Sequence, residues 1–156
     1  MRCFDEIFYS FTFGGEITSI AASIATIKEL KNKNVIQHLW EQGRRLKDGY
    51  NVLAREFGLE KYTQCVGLNP RTVTLFKDKL GADDLFLKSL FQQECIKRGI
   101  LFVGCHDICY SHTNNDVEYT LRVYRTVFKI VKDAINKHKV RKLIEGKPVE
   151  PVFRKA

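Results

Sequence analysis

Long apolar runs are missing from this 156-residue chain. No stretch approaches the roughly 20 residues that a bilayer-crossing helix requires, so no membrane partner is expected. The opening MRCFDEIFYS puts acidic residues where a secretory leader needs a basic flank and an apolar run, and a cytoplasmic protein is the expectation. Paired C-x-x-C spacings are missing too. The five cysteines, at 3, 65, 95, 105 and 109, are odd in number and irregularly spaced, which fits reduced thiols better than a disulfide framework. Cys105-His106-Asp107-Ile108-Cys109 holds metal-ligand residue types, but without knuckle spacing or a second cluster, so no metal site is expected.

The chain also has no P-loop, no dinucleotide fingerprint and no Ser/His/Asp or Cys/His spacing from which a catalytic constellation could be argued. No catalytic residue is assigned from the sequence. His112, beside a helix cap, reads as a surface or capping residue, and His38 reads as solvated. The net charge of +8 raises nucleic acid as a partner, yet nine basic and only three acidic residues fall between Lys129 and Lys155. Most of the excess charge thus sits at one solvated end. No RNA-binding aromatic motif, zinc finger or helix-turn-helix accompanies it, so no nucleic-acid partner is expected. Internal repeats and low-complexity segments are absent.

What is present is 44% hydrophobic residues and 12% aromatics, enough for one packed core. Phe4, Phe8, Tyr9, Phe11 and Phe13 crowd the start and need a cover, from more chain or another subunit. After Gly15, isoleucines 17, 20, 24 and 27 recur at helical steps as far as Lys31-Asn32-Lys33-Asn34. Val35, Leu39, Leu46, Tyr50, Leu53 and Phe57 line a second helix that stops at Gly58. Asn69-Pro70 marks a turn before a strand at Thr72–Phe76. Gly81-Ala82-Asp83-Asp84 caps a third helix that runs towards Arg98-Gly99. Ile100–Gly104 reads as a short apolar strand, with Asp107–Ser111 as its hairpin partner. Thr113 and Asp116 form a capping box for the last helix, whose buried face is Val117, Leu121, Tyr124, Phe128, Val131 and Ile135. Two prolines favour an extended tail. The fold class is therefore α+β, a small sheet covered by helices.

Thr12-Phe13-Gly14-Gly15, ahead of the first helix, is the one candidate binding turn. A helix N-terminus offers free N–H groups and partial positive charge, glycines admit a ligand to the backbone, and a threonine hydroxyl can donate to phosphate. An ordinary capped helix start is the competing reading, and Glu16 in the first turn competes with an anion.

FYSFTFGGEITSIAASIATIKEL followed by VIQHLWEQGRRLKDGYN resembles the C-terminal part of class III pyridoxal-phosphate-dependent aminotransferases, above all the glutamate-1-semialdehyde aminomutase-like branch. GILFVG, SHTNNDVEYTLRVY and EGKPVEPVFR resemble later segments of that branch, in the same order. The resemblance implies the small C-terminal domain of a fold-type I enzyme, like that of aspartate aminotransferase. Residues 1–33 would end the large domain, 34–140 would form the small domain, and 141–156 an extended basic tail. It implies pyridoxal 5'-phosphate as cofactor, an amino group moved through a Schiff base, and a small amino-acid or amino-sugar-type substrate. It further implies a homodimer or a large-domain partner, with Thr12, Phe13, Gly14 and Gly15 meeting the cofactor phosphate in trans. The Schiff-base lysine would lie upstream, so the chain would be a fragment and inactive alone. A non-catalytic interaction module, or a remnant of such an enzyme, is the alternative. Two departures stand out: Glu16 replaces the asparagine common in the class, and Cys105–Tyr110 has no arginine for a substrate carboxylate.

Overall fold

The computed structural model describes residues 15–81 and 84–150. The chain divides into two compact units, Met1–Gln37 and His38–Ala156. In the described part of the first, Glu16 caps helix α1 (Ile17–Asn32), its carboxylate accepting the Ser19 N–H at 2.8 Å. The isoleucine stripe read from the sequence lies on this helix but is uncovered: Ile17, Ile20, Ile24 and Ile27 are all exposed. A left-handed Asn34 (φ 49°) separates α1 from α2 (Val35–Glu56).

The second unit is built on a three-stranded antiparallel sheet ordered β1 (Thr63–Leu68), β2 (Arg71–Phe76), β3 (Cys105–Asp107). Asn69-Pro70 is the two-residue link of a hairpin that pairs Leu68 with Arg71 and Thr63 with Phe76. Alternation along the strands turns Thr63, Cys65, Thr72, Thr74, Phe76 and His106 inward. Helix α3 (Leu85–Ile96), capped by Asp84, follows β2, and α4 (Asn114–Asn136) follows β3. The expected capping box is formed, Thr113 and Asp116 bonding each other's backbone N–H.

The core is aromatic. Tyr50 on α2, Phe91 on α3, and Tyr124 and Phe128 on α4 meet edge-on or tilted at 5.0–5.7 Å, and Phe102 adds a fifth ring. Such contacts add about 0.5–1.5 kcal/mol per pair beyond area burial. Helix α2 has no side chain at Gly43, where a Cβ would stand 1.8 Å from the Asn69 carbonyl oxygen. The hairpin tip is therefore pressed against the helix backbone.

Two side-chain amides stand in for strands. The outer edge of β1 is served by α2: Asn51 accepts the Cys65 N–H and donates to the Cys65 carbonyl, both at 2.9 Å, while Lys47 Nζ donates to Gly67 O at 3.0 Å. On α3, Gln93 donates to the Leu143 carbonyl at 3.0 Å and accepts the Glu145 N–H at 2.7 Å. The tail, after one 3-10 turn at Arg141–Leu143, is thus strapped to α3, with the Val149 N–H donating to Ser89 Oγ.

Three expectations need correction. Ile100–Val103 is not a strand: among the described residues it pairs with none, and the Thr74 N–H first meets this segment at the Gly104 carbonyl. The strand is Cys105–Asp107, and it pairs with β2, not with the following residues. A further strand, β1, precedes the one expected.

Candidate functional site

Of the candidate turn, Thr12, Phe13 and Gly14 lie outside the described residues. Gly15 is described: it is exposed, and a Cβ added there would meet nothing within 4 Å. The helix end beside it is partly taken up. Glu16 holds the Ser19 N–H and also accepts from the Ser19 hydroxyl, and these bonds lower its pKa from the ordinary carboxylate value. One N–H at this helix end is thus already engaged by Glu16.

The Cys105–Cys109 segment does not converge on a metal: among the described residues no group of three or more His, Cys, Asp and Glu could hold one. Its members separate by function. Asp107 faces out and pairs with Arg71 at 3.2 Å. Cys109 is exposed, with Ser111 Oγ at 3.0 Å from its sulfur and the His112 ring at 3.5 Å, and hydrogen bonding by Ser111 lowers its thiol pKa. Cys65 and Cys95 are buried, and burial pushes both thiols up.

His106 points inward and is only 7% exposed. Its Nδ1 lies 2.7 Å from Thr72 Oγ1 and its Nε2 2.8 Å from the Tyr124 hydroxyl, with the Cys65 sulfur 3.7 Å from Nδ1. Tyr50 continues the polar thread by a 2.6 Å hydrogen bond to Thr63 Oγ1. Burial lowers the His106 pKa to about 4, with Asp107 opposing, so the ring is neutral near pH 7. Nothing in the sequence pattern distinguished His106 from its neighbours; the register that pairs it with Thr72 buries it.

His38 is not fully solvated. It is half-buried, its Nε2 lies 2.9 Å from the His112 carbonyl oxygen, and its ring meets Tyr110 edge-on at 5.2 Å. His112 does act at the turn, where its Nδ1 accepts the Cys109 N–H at 3.0 Å. The described polar clusters therefore hold the fold together; none sets a nucleophile against a base in an enclosed pocket.

This α+β arrangement is similar in fold to part of a solved pyridoxal-phosphate protein. The solved structure of the PLP internal aldimine form of FumI from Sphingopyxis sp. MTA144 superposes with a TM-score of 0.71 at 21% identity, over 85% of this chain and 31% of that one. No family model matches the chain. Among curated proteins it is 28% identical over 133 residues to a glutamate-1-semialdehyde 2,1-aminomutase of Desulfitobacterium hafniense, covering 79% of this chain and 31% of that protein. It is 28% identical over 144 residues to a probable gamma-aminobutyrate transaminase 3, mitochondrial, of Oryza sativa, covering 86% and 28%. The chain thus spans about a third of the length of the relatives it matches. The resemblance to class III aminotransferases and aminomutases expected from the sequence is borne out by these relatives.

Proposed function

We propose that this chain supplies the C-terminal portion of a pyridoxal 5'-phosphate-dependent aminotransferase or aminomutase, acting on a small amino-acid or amino-sugar-type substrate in the cytoplasm. One observation carries the reading: an aminomutase and a transaminase both match most of the chain while the chain spans under a third of each. In this reading residues 1–33 close the large domain, 34–140 form the small domain, and 141–156 the basic tail. The open space at Gly15 fits the approach of a phosphate. Thr12, Phe13, Gly14 and Gly15 form the turn that meets it, Thr12 by donating its hydroxyl and the others through backbone N–H groups. The phosphate belongs to a cofactor held mainly by a homodimeric or large-domain partner. When bound, that cofactor supplies the electron sink for amino-group transfer. This chain supplies the contact in trans and the domain that closes over the substrate. The uncovered isoleucines of α1 support a partner at that end.

The chain alone is then inactive, because no lysine in it matches the position that binds the cofactor covalently. The test is to sequence the DNA upstream of the Met1 codon, express the longest frame and titrate it with pyridoxal 5'-phosphate. We expect a lysine-bearing large domain, a cofactor absorption band, and a loss of about tenfold or more in affinity on Thr12→Ala, the cost of one hydrogen bond to a charged group. No cofactor band from the longest frame sinks the reading. Unchanged affinity in Thr12→Ala removes the role of the turn.

A further inference from the structure

Where α4 ends, the chain turns through a left-handed His138 (φ 52°), in the place where a glycine usually closes a helix. The Lys139 N–H returns to the Ala134 carbonyl at 2.9 Å, and the chain comes back along a cleft of about 540 Å³. That volume is within the range of small-molecule sites, roughly 300–1,000 Å³. Tyr62, Leu87, Ile135 and Val140 give the cleft an apolar lining.

Its charges are unevenly engaged. The carboxylate of Asp84 caps α3 by accepting the Leu87 N–H at 2.9 Å, and that of Asp78 accepts the Leu80 N–H at 2.8 Å. Lys79, Arg141 and Lys142 also line the cleft, and none has an acidic partner among the described residues. Arg141 is held instead over the Phe86 ring, 4.2 Å from its centroid, which fixes the guanidinium while leaving donors free. Two carboxylates that accept backbone N–H groups, three cations without an acidic partner among the described residues, and an apolar floor together complement one kind of occupant.

We infer that this cleft binds a small amphipathic anion, with a phosphate or carboxylate head met by Arg141, Lys142 and Lys79 and a short apolar body on Ile135 and Val140. The site is independent of the candidate turn at residues 12–15 and of the proposed amino-group chemistry.

Calorimetric titration of the 156-residue chain with octyl phosphate tests it, with inorganic phosphate and octanol as the two halves of the probe. Octyl phosphate should bind at least about tenfold more tightly than either half. The Arg141→Ala/Lys142→Ala double variant should weaken it by about tenfold or more, and Lys79→Ala, on a different segment, should weaken it as well. All three side chains are on the surface, so the melting temperature should hold. Lys147→Ala, outside the cleft, should leave affinity within about twofold. Octyl phosphate binding no better than its halves, or equal loss in the Lys147 and Arg141/Lys142 variants, overturns the inference.

Discussion

Lowering the pH from 7 to 4 forces a proton onto His106, and the fold resists it. The ring is enclosed by Thr72, Tyr124 and Cys65, with Phe102 and Tyr50 around it. Thr72 and Tyr124 could each accept from a protonated ring, so the cost is desolvation and not a lost hydrogen bond. Asp107, its chain neighbour, only partly offsets that cost. The pKa falls from 6.5 to about 4. Between those values the unfolded chain binds the proton and the folded one does not, so stability is full above pH 6.5 and is lost as pH falls. A shift of this size corresponds to about 3 kcal/mol, a large part of a typical domain stability of roughly 5–15 kcal/mol. Urea unfolding of wild type and His106→Gln at intervals from pH 7 to 4 isolates the effect, because other carboxylates titrate in both. The stability advantage of wild type should shrink by about 3 kcal/mol across the range. A pH-independent difference, or a His106 ring that titrates near 6.5 by NMR, would refute the burial account.

Gly43→Ala should destabilise by about 2–3 kcal/mol in urea unfolding, since its Cβ would meet the Asn69 backbone and not a yielding side chain; a loss under half a kilocalorie would mean the hairpin tip moves away easily. Asn51→Ala leaves the Cys65 N–H and carbonyl without their partner and should cost about 1–2 kcal/mol, with faster amide exchange at Cys65; unchanged exchange there would contradict the pairing. Thr113→Ala should remove about 1 kcal/mol by deleting the α4 cap, read as a lower thermal midpoint. Among the four described thiols, Cys109 should be alkylated first by iodoacetamide and Cys65 and Cys95 last, as followed by mass spectrometry; early modification of either buried thiol would count against the packing.

Helices α1, α2 and α4 were legible because each carries its own apolar stripe and punctuation, down to the Thr113–Asp116 box. The strands were less so. Thr63 and Cys65 turn inward from β1 with a threonine and a thiol, and Gln64 and Gly67 dilute its pattern, so little in TQCVGL announces a strand. Ile100–Val103 has the right composition, and Phe102 is buried while Leu101 and Val103 are exposed, but among the described residues no neighbouring strand pairs with it. Composition can signal an extended segment; only the arrived partner makes it a strand. The same holds for His106 and His38, whose environments are set by residues about 34 and 74 positions away. Of the candidate turn only Gly15 is described, and beside it Glu16 takes the Ser19 N–H.

The amide of Asn51 occupies one border of the sheet. With Asn51 and Lys47 at the border beyond β1, an incoming strand finds the Cys65 N–H and carbonyl and the Gly67 carbonyl already engaged. Any fusion, swapped segment or second chain that adds beyond β1 has first to displace the Asn51 amide from Cys65.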